Sequence, residues 1–131
     1  MRVAVIGAGS WGTAVAALAG AHGSVQLWAR SEATVSTIRE TSRNPAYLPD
    51  LELPGSVSAT TDLEMALDRA EAIVMAVPSH GFRAVLRSAA PYVPSGVPIV
   101  SLTKGIEQQT MRRMTEVVLE ELDHAPRRWG S

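Results

Sequence analysis

The chain has no cysteine, which removes at once a disulfide framework, a thiolate nucleophile and a thiolate metal site, and suits a reducing compartment. It also lacks an excess of charge of either sign, since 12 Lys and Arg stand against 13 Asp and Glu for a formal net charge of −1. No basic run goes beyond a pair such as Arg127-Arg128, so the electrostatic footprint of a nucleic-acid binder is missing and nucleic acid is not an expected partner. No apolar stretch approaches the roughly 18 residues of a membrane span, and the N-terminus enters a strand-like run instead of a cleavable export signal. Neither a membrane partner nor secretion is expected, and the expected location is cytoplasmic. The three histidines, His22, His80 and His124, are too far apart to show metal-ligand spacing. What is present is 131 residues, 46% of them hydrophobic, which is enough for one domain with a real core and too little for a second.

Short β-branched runs alternate with longer segments of helical period, the pattern of repeated βα units around a parallel sheet. The expected fold class is therefore α/β, a doubly wound parallel sheet covered by helices. Strands are predicted near residues 3–6, 25–28, 57–59, 72–77 and 99–102, the central ones almost wholly apolar as parallel strands buried on both faces require. The first helix is predicted from Ser10 to about His22, with Ala14, Ala17, Leu18 and Ala21 on its packed face and Gly23 as its stop. Ser31 caps a second helix whose first turn carries Glu32. Thr61-Asp62-Leu63-Glu64 has capping-box spacing, with Leu63, Ala66 and Leu67 on the buried side behind it. A last helix is predicted over about residues 110–122, its Met111 and Met114 filling core space. Between the second helix and the third strand, Asn44-Pro45-Ala46-Tyr47-Leu48-Pro49-Asp50 reads as a long loop. The domain is expected to occupy residues 1–123, with 124–131 an irregular tail.

The chemistry-bearing feature is Ile6-Gly7-Ala8-Gly9-Ser10-Trp11-Gly12, a G-x-G-x-x-G spacing directly after a buried strand and at the opening of a helix. In that context Gly7 makes the tight turn, Gly9 lets the backbone approach a pyrophosphate and Gly12 allows close helix-to-strand packing. The unpaired amides of the helix start then face the ligand, helped by the positive end of the helix dipole. A glycine-rich turn with no ligand is the competing reading. Trp11 either covers the dinucleotide or packs against the Tyr47 loop. The fingerprint expects an acidic residue about 20 positions on. Arg30 stands near that place instead, and a guanidinium there pairs with a 2′-phosphate that a carboxylate repels. A solvated Arg30, with Glu32 serving an NAD ribose, is the alternative. Two further strand ends face the same crevice, Val77-Pro78-Ser79-His80 and Thr103-Lys104-Gly105. Pro78 stops the strand and Ser79 caps the helix after it. His80 is a candidate proton donor with no partner visible in the sequence. Lys104 projects its ammonium into the crevice toward a phosphate or carbonyl, or is a solvated lysine.

Six motifs in order, GAGSWGTAVA, LWAR, NPAYLPD, AVPSHGFR, SLTKGIEQQT and MRRMTEVVLEEL, resemble the bacterial NAD(P)-dependent glycerol-3-phosphate dehydrogenases over residues 3 to about 122. The resemblance implies a Rossmann-like NAD(P)-binding domain, with NADPH or NADH as cofactor. It also implies reversible hydride transfer between the nicotinamide and dihydroxyacetone phosphate, giving sn-glycerol 3-phosphate for phospholipid synthesis. Carried over by position, Ser10, Trp11 and Arg30 contact the dinucleotide, and Lys104 meets both cofactor and substrate. Family members continue into a helical domain that supplies the catalytic lysine and most of the substrate phosphate site. None of that is expected in these 131 residues, so no catalytic residue is assigned and the chain alone is expected to be inactive. The ending APRRWGS does not resemble the family's next strand, which suggests a truncated or frame-shifted product. Two other readings stay open: another dehydrogenase of the same nucleotide fold, such as a 2-hydroxyacid dehydrogenase or ketopantoate reductase, and a non-enzymatic dinucleotide-binding module. An uncovered apolar face would favour a homo-oligomer.

Overall fold

The computed structural model describes residues 1–102. The last predicted helix, Lys104 and the boundary at residue 123 lie outside them. Five strands, β1 (Arg2–Ile6), β2 (Ser24–Trp28), β3 (Val57–Thr60), β4 (Ala72–Met75) and β5 (Ile99–Ser101), form one sheet. Every pairing is parallel and the order is β3-β2-β1-β4-β5. Four helices connect them: α1 (Ser10–Gly20), α2 (Glu32–Thr41), α3 (Leu63–Leu67) and α4 (Ser79–Ala89), with a 3-10 turn at Ala90–Tyr92. The expected strands are all found, within one or two residues at each end.

The chain winds outward from β1 to β2 and β3, then crosses back to β4 on the other side of β1 and continues to β5. Each winding direction covers a different face. Val5, Val25, Leu27 and Ala59 pack with Ala16 of α1 and Val35 and Ile38 of α2 on one side. Ala4, Ile6, Ile73 and Met75 pack with Leu67 of α3 and Phe82, Val85 and Leu86 of α4 on the other. Because alternate side chains of β1 enter opposite cores, its sequence has to be apolar at successive positions. Burying side chains such as Phe82 or Leu67, both fully enclosed, stabilises the fold by about 1.5–3 kcal/mol each.

The packed face of α1 differs from the expected one. Its buried residues are Gly12, Thr13, Ala16 and Gly20, while Ala21 is exposed and Leu18 is 72% exposed. The helix is rich in alanine all round, so apolar periodicity carries little contrast. Closeness of approach selects the face instead: Gly12, Ala16 and Gly20, spaced four apart, present nothing larger than a methyl to the sheet. The helix ends at Gly20, not His22, and Gly23 is not its left-handed stop. A methyl at Gly23 would lie 2.2 Å from the Met1 carbonyl oxygen, so this glycine serves close packing.

The caps also shift. Ser31 caps α2 as expected, its hydroxyl accepting from the Thr34 amide at 3.3 Å. For α3 the cap is Asp62, not Thr61. The Asp62 carboxylate accepts from the amides of Glu64 and Met65 at 2.9 and 3.3 Å, whereas the Thr61 hydroxyl donates to Glu32 at 3.2 Å. A carboxylate at a helix start gains from the dipole as well as the hydrogen bonds, and Thr61 is drawn away by a partner on α2. At α4 the capping position belongs to Pro78, with no side-chain cap bond; Ser79 is already the first helical residue.

In urea unfolding, Phe82→Ala should cost about 3–5 kcal/mol and Leu18→Ala within about 0.5 kcal/mol. A loss of 2 kcal/mol or more at Leu18, well outside that range, would restore the expected packing face.

Candidate functional site

At the carboxyl ends of β1 and β4 the two halves of the sheet wind in opposite directions, which opens a crevice above the strand ends. Main-chain bonds fix its floor: the Gly7 amide donates to the Trp28 carbonyl at 2.9 Å and the Ala76 amide to the Ile6 carbonyl at 2.8 Å. Two clefts lie along it. One, of about 350 Å³, is lined by Gly7, Ala8, Gly9, Arg30, Ser31, Tyr47, Pro78 and His80, among others. The second, of about 240 Å³, is lined by Gly9, Ser10, Trp11, Pro78, Ser79 and Leu102, among others. Gly9, Ala76, Val77 and Pro78 border both, so the clefts form one groove that crosses the glycine turn.

The three glycines of the turn have different reasons to be there. Gly7 has φ +121°, and a methyl on it would stand 2.7 Å from the Ala76 main chain. A methyl on Gly12 would stand 1.8 Å from the Gly7 carbonyl oxygen. Both are imposed by the fold. Gly9 has φ −78° and ψ −165°, which any residue adopts, and nothing lies within 4 Å of where its Cβ would be. That vacant position opens into the groove. The protein alone gives no reason for a glycine there, whereas a ligand seated against the main chain does.

The groove suits an anion. The amides of Ala8, Gly9, Ser10, Trp11 and Gly12 have no acceptor among the described residues, and the α1 ladder begins only with Thr13 donating to Gly9 at 2.9 Å. These are the orphan donors of a helix start, and the positive end of the dipole lies with them. No carboxylate is among the lining residues of either cleft, while Arg30 and His80 border the larger one. Glu32 does not line the groove; its carboxylate accepts from Thr61 on the far side of β2.

The structure therefore brings Gly7, Gly9, Ser10, Trp11, Arg30 and Pro78 to one crevice, packs Gly12 against the Gly7 carbonyl without lining either cleft, and leaves Lys104 outside the described residues. Trp11 is 74% exposed and borders the groove, so the alternative of packing against the Tyr47 loop is not what the chain does. Sequence reasoning gave no role to Asn44, which is 2% exposed. Its side-chain amide donates to the Ala8 carbonyl at 2.7 Å and to the Thr13 hydroxyl at 3.0 Å. A larger cleft of about 520 Å³ wraps the β3 edge between Gln26, Arg39, Leu53 and Met65. It shares no lining residue with the groove. Among the described residues no group of His, Cys, Asp and Glu is placed to hold a metal ion, and no helix is long and apolar enough to cross a membrane.

The chain matches the family described as "NAD-dependent glycerol-3-phosphate dehydrogenase N-terminus" over residues 2–129. It is 43% identical over 126 residues to glycerol-3-phosphate dehydrogenase [NAD(P)+] 2 of Sphingopyxis alaskensis, covering 96% of this chain and 38% of that protein. Against glycerol-3-phosphate dehydrogenase [NAD(P)+] of Pelotomaculum thermopropionicum the identity is 45% over 121 residues, covering 92% and 35%. Among solved structures, glycerol-3-phosphate dehydrogenase from Coxiella burnetii superposes with a TM-score of 0.86 at 34% identity, over 96% of this chain and 39% of that one. The chain thus spans little more than a third of the length of these relatives.

The contrast between the glycines is directly testable by thermal or urea unfolding. Gly12→Ala should cost about 3 kcal/mol or more, because main chain cannot yield as a side chain does. Gly9→Ala should stay within about 1 kcal/mol of the parent. Equal losses at both positions would mean that the fold, and not a ligand, demands Gly9.

Proposed function

The chain belongs to the family of NAD-dependent glycerol-3-phosphate dehydrogenases through their N-terminal part, and on that premise we propose that it holds NADPH or NADH across the carboxyl ends of β1 and β4. The observation that carries this reading is the open position at Gly9 beside a row of amides with no acceptor among the described residues. The main chain from Gly9 to Trp11 takes the diphosphate, with Ser10 able to add its hydroxyl and Gly7 and Gly12 shaping the turn. The adenosine half lies in the larger cleft, where the Arg30 guanidinium meets a 2′-phosphate. The nicotinamide half lies in the smaller cleft between Trp11, Pro78 and Leu102. Lys104 follows β5 by three residues in sequence, and we assign it to the nicotinamide end, where its charge serves both cofactor and substrate phosphate.

Bound there, the cofactor would supply the hydride that reduces the carbonyl carbon of dihydroxyacetone phosphate, a proton adding to the carbonyl oxygen to give sn-glycerol 3-phosphate, and would accept the hydride in reverse. What this chain contributes is binding and orientation. Trp11 and the proline at the end of β4 form two apolar walls that limit the ring's freedom and exclude water from one side. The remaining length of the relatives, which this chain does not span, is where we place the catalytic lysine and most of the substrate site. By itself the chain is expected to bind cofactor and to turn over dihydroxyacetone phosphate little or not at all. The cellular setting we propose is the cytoplasm, in the supply of glycerol 3-phosphate to lipid synthesis, with self-association through apolar faces left uncovered.

Calorimetric titration of the chain with NADPH and NADH tests the assignment. A charge-assisted contact of about 1.5–3 kcal/mol predicts a preference for NADPH of roughly ten- to a hundredfold at low salt, shrinking as salt is raised. Arg30→Ala should abolish that preference while leaving NADH affinity within about threefold. Equal affinities in the parent would remove Arg30 from the 2′-phosphate, and no binding of either nucleotide would overturn the proposal.

A further inference from the structure

We infer that Asn44 is the positioning residue of the glycine turn, holding the Ala8–Gly9 peptide so that the Gly9 amide points into the groove; this rests on the cofactor reading above. The Ala8 carbonyl lies at the mouth of a site built for an anion, where a free carbonyl oxygen would repel a phosphate. In this chain it is engaged instead. The Asn44 Nδ2 group donates to it at 2.7 Å, and the Thr13 hydroxyl lies 3.4 Å from it. The same Nδ2 group donates to the Thr13 hydroxyl at 3.0 Å. A carbonyl oxygen only accepts, so chemistry fixes which end of the Asn44 amide faces Ala8.

The peptide plane transmits the effect. In a trans peptide the C=O of one residue and the N–H of the next point in opposite directions and cannot rotate independently. Tying the Ala8 oxygen inward to Asn44 therefore aims the Gly9 N–H outward, beside the position where Gly9 has no side chain. Asn44 also shapes the facing wall. Its main-chain carbonyl accepts from the amides of Tyr47 and Leu48 at 3.2 and 2.9 Å, and that turn brings Tyr47 to the edge of the larger cleft. One buried residue, 36 positions from the turn in sequence, thus sets the direction of a ligand-facing amide and the placement of a wall opposite it.

Asn44→Asp separates positioning from packing. The shape is kept, but an ionised carboxylate sets acceptor against acceptor at Ala8. Burial beside a carbonyl raises the acid's pKa, and once protonated its O–H can donate to Ala8 again. With NAD⁺, which lacks the titrating 2′-phosphate, affinity in the variant should fall about tenfold or more at pH 8 and return to within about threefold of the parent at pH 5. The variant-to-parent ratio at each pH is the readout, which a purely structural role would not move in this way. Thr13→Val removes the hydroxyl that anchors the Asn44 amide and also reaches the Ala8 carbonyl, so it loosens the hold on the Ala8–Gly9 peptide and should lose about three- to tenfold, whereas Thr13→Ser should restore parent affinity. If Asn44→Asp does not fold, this Thr13 pair decides. Parent-like affinity in Asn44→Asp at pH 8, a loss that low pH does not rescue, or equal affinities for the two Thr13 variants would overturn the inference while leaving the cofactor reading intact. Failure of the parent to bind NAD⁺, NADH or NADPH would overturn both.

Discussion

Main chain touches main chain where α1 leaves the sheet, and the groove depends on that contact. The Gly7 carbonyl oxygen stands where a Gly12 side chain would begin, and the Gly7 α-carbon faces the backbone of Ala76, just past the end of β4. Only with no Cβ at either place can the helix start this low over β1 and between the ends of β1 and β4. Once it does, its first amides have no partner among the described residues. Orphan donors at a helix start are normally a liability that a capping side chain removes. Here the capping residue is Gly9, with no side chain to offer, so the donors stay available. The local rule for a stable helix start is broken at the position where the fold needs nothing, which is the usual mark of a functional compromise.

Much of this was legible in the sequence because it is governed by local rules. The apolar run before Gly7, the spacing to Gly12 and the turn into a helix are read within a dozen residues, and β1, the glycine turn and the start of α1 stand as expected. The doubly wound parallel sheet was legible in the alternation of elements, although the order of its strands was not. The segment holding Pro78 was placed at the crevice by the general property of parallel sheets that ligands sit beyond the strands' carboxyl ends, Arg30 by its spacing from the glycine turn, and Ser10 and Trp11 by the turn itself and the family resemblance.

What was not legible depends on contacts distant in sequence. The inner face of α1 is chosen by how closely the helix can approach, and a stretch with alanine at so many positions gives periodicity nothing to distinguish. Thr61 and Asp62 are both good caps, and the choice between them turns on Glu32, 29 residues from Thr61. Ser79 follows a proline that takes the capping position itself. Asn44 is the clearest case: an asparagine before proline in a long loop looks like turn chemistry, yet its side chain is buried against Ala8 and Thr13. An enclosed side-chain amide whose nitrogen donates twice signals a specific demand for its donors, and that signal exists only in three dimensions.

The groove competes with a larger hollow at the β3 edge, of about 520 Å³, which has volume without a row of unpaired donors. Amide chemical shifts of the labelled chain during titration with NADPH decide between them most directly. The account predicts that the largest shifts fall at Gly9, Ser10 and Trp11, with smaller ones at Arg30 and Tyr47 and none at Gly55 or Ser58. Shifts concentrated at Gly55, Ser58 and Met65 while the glycine-turn amides stay still would contradict it.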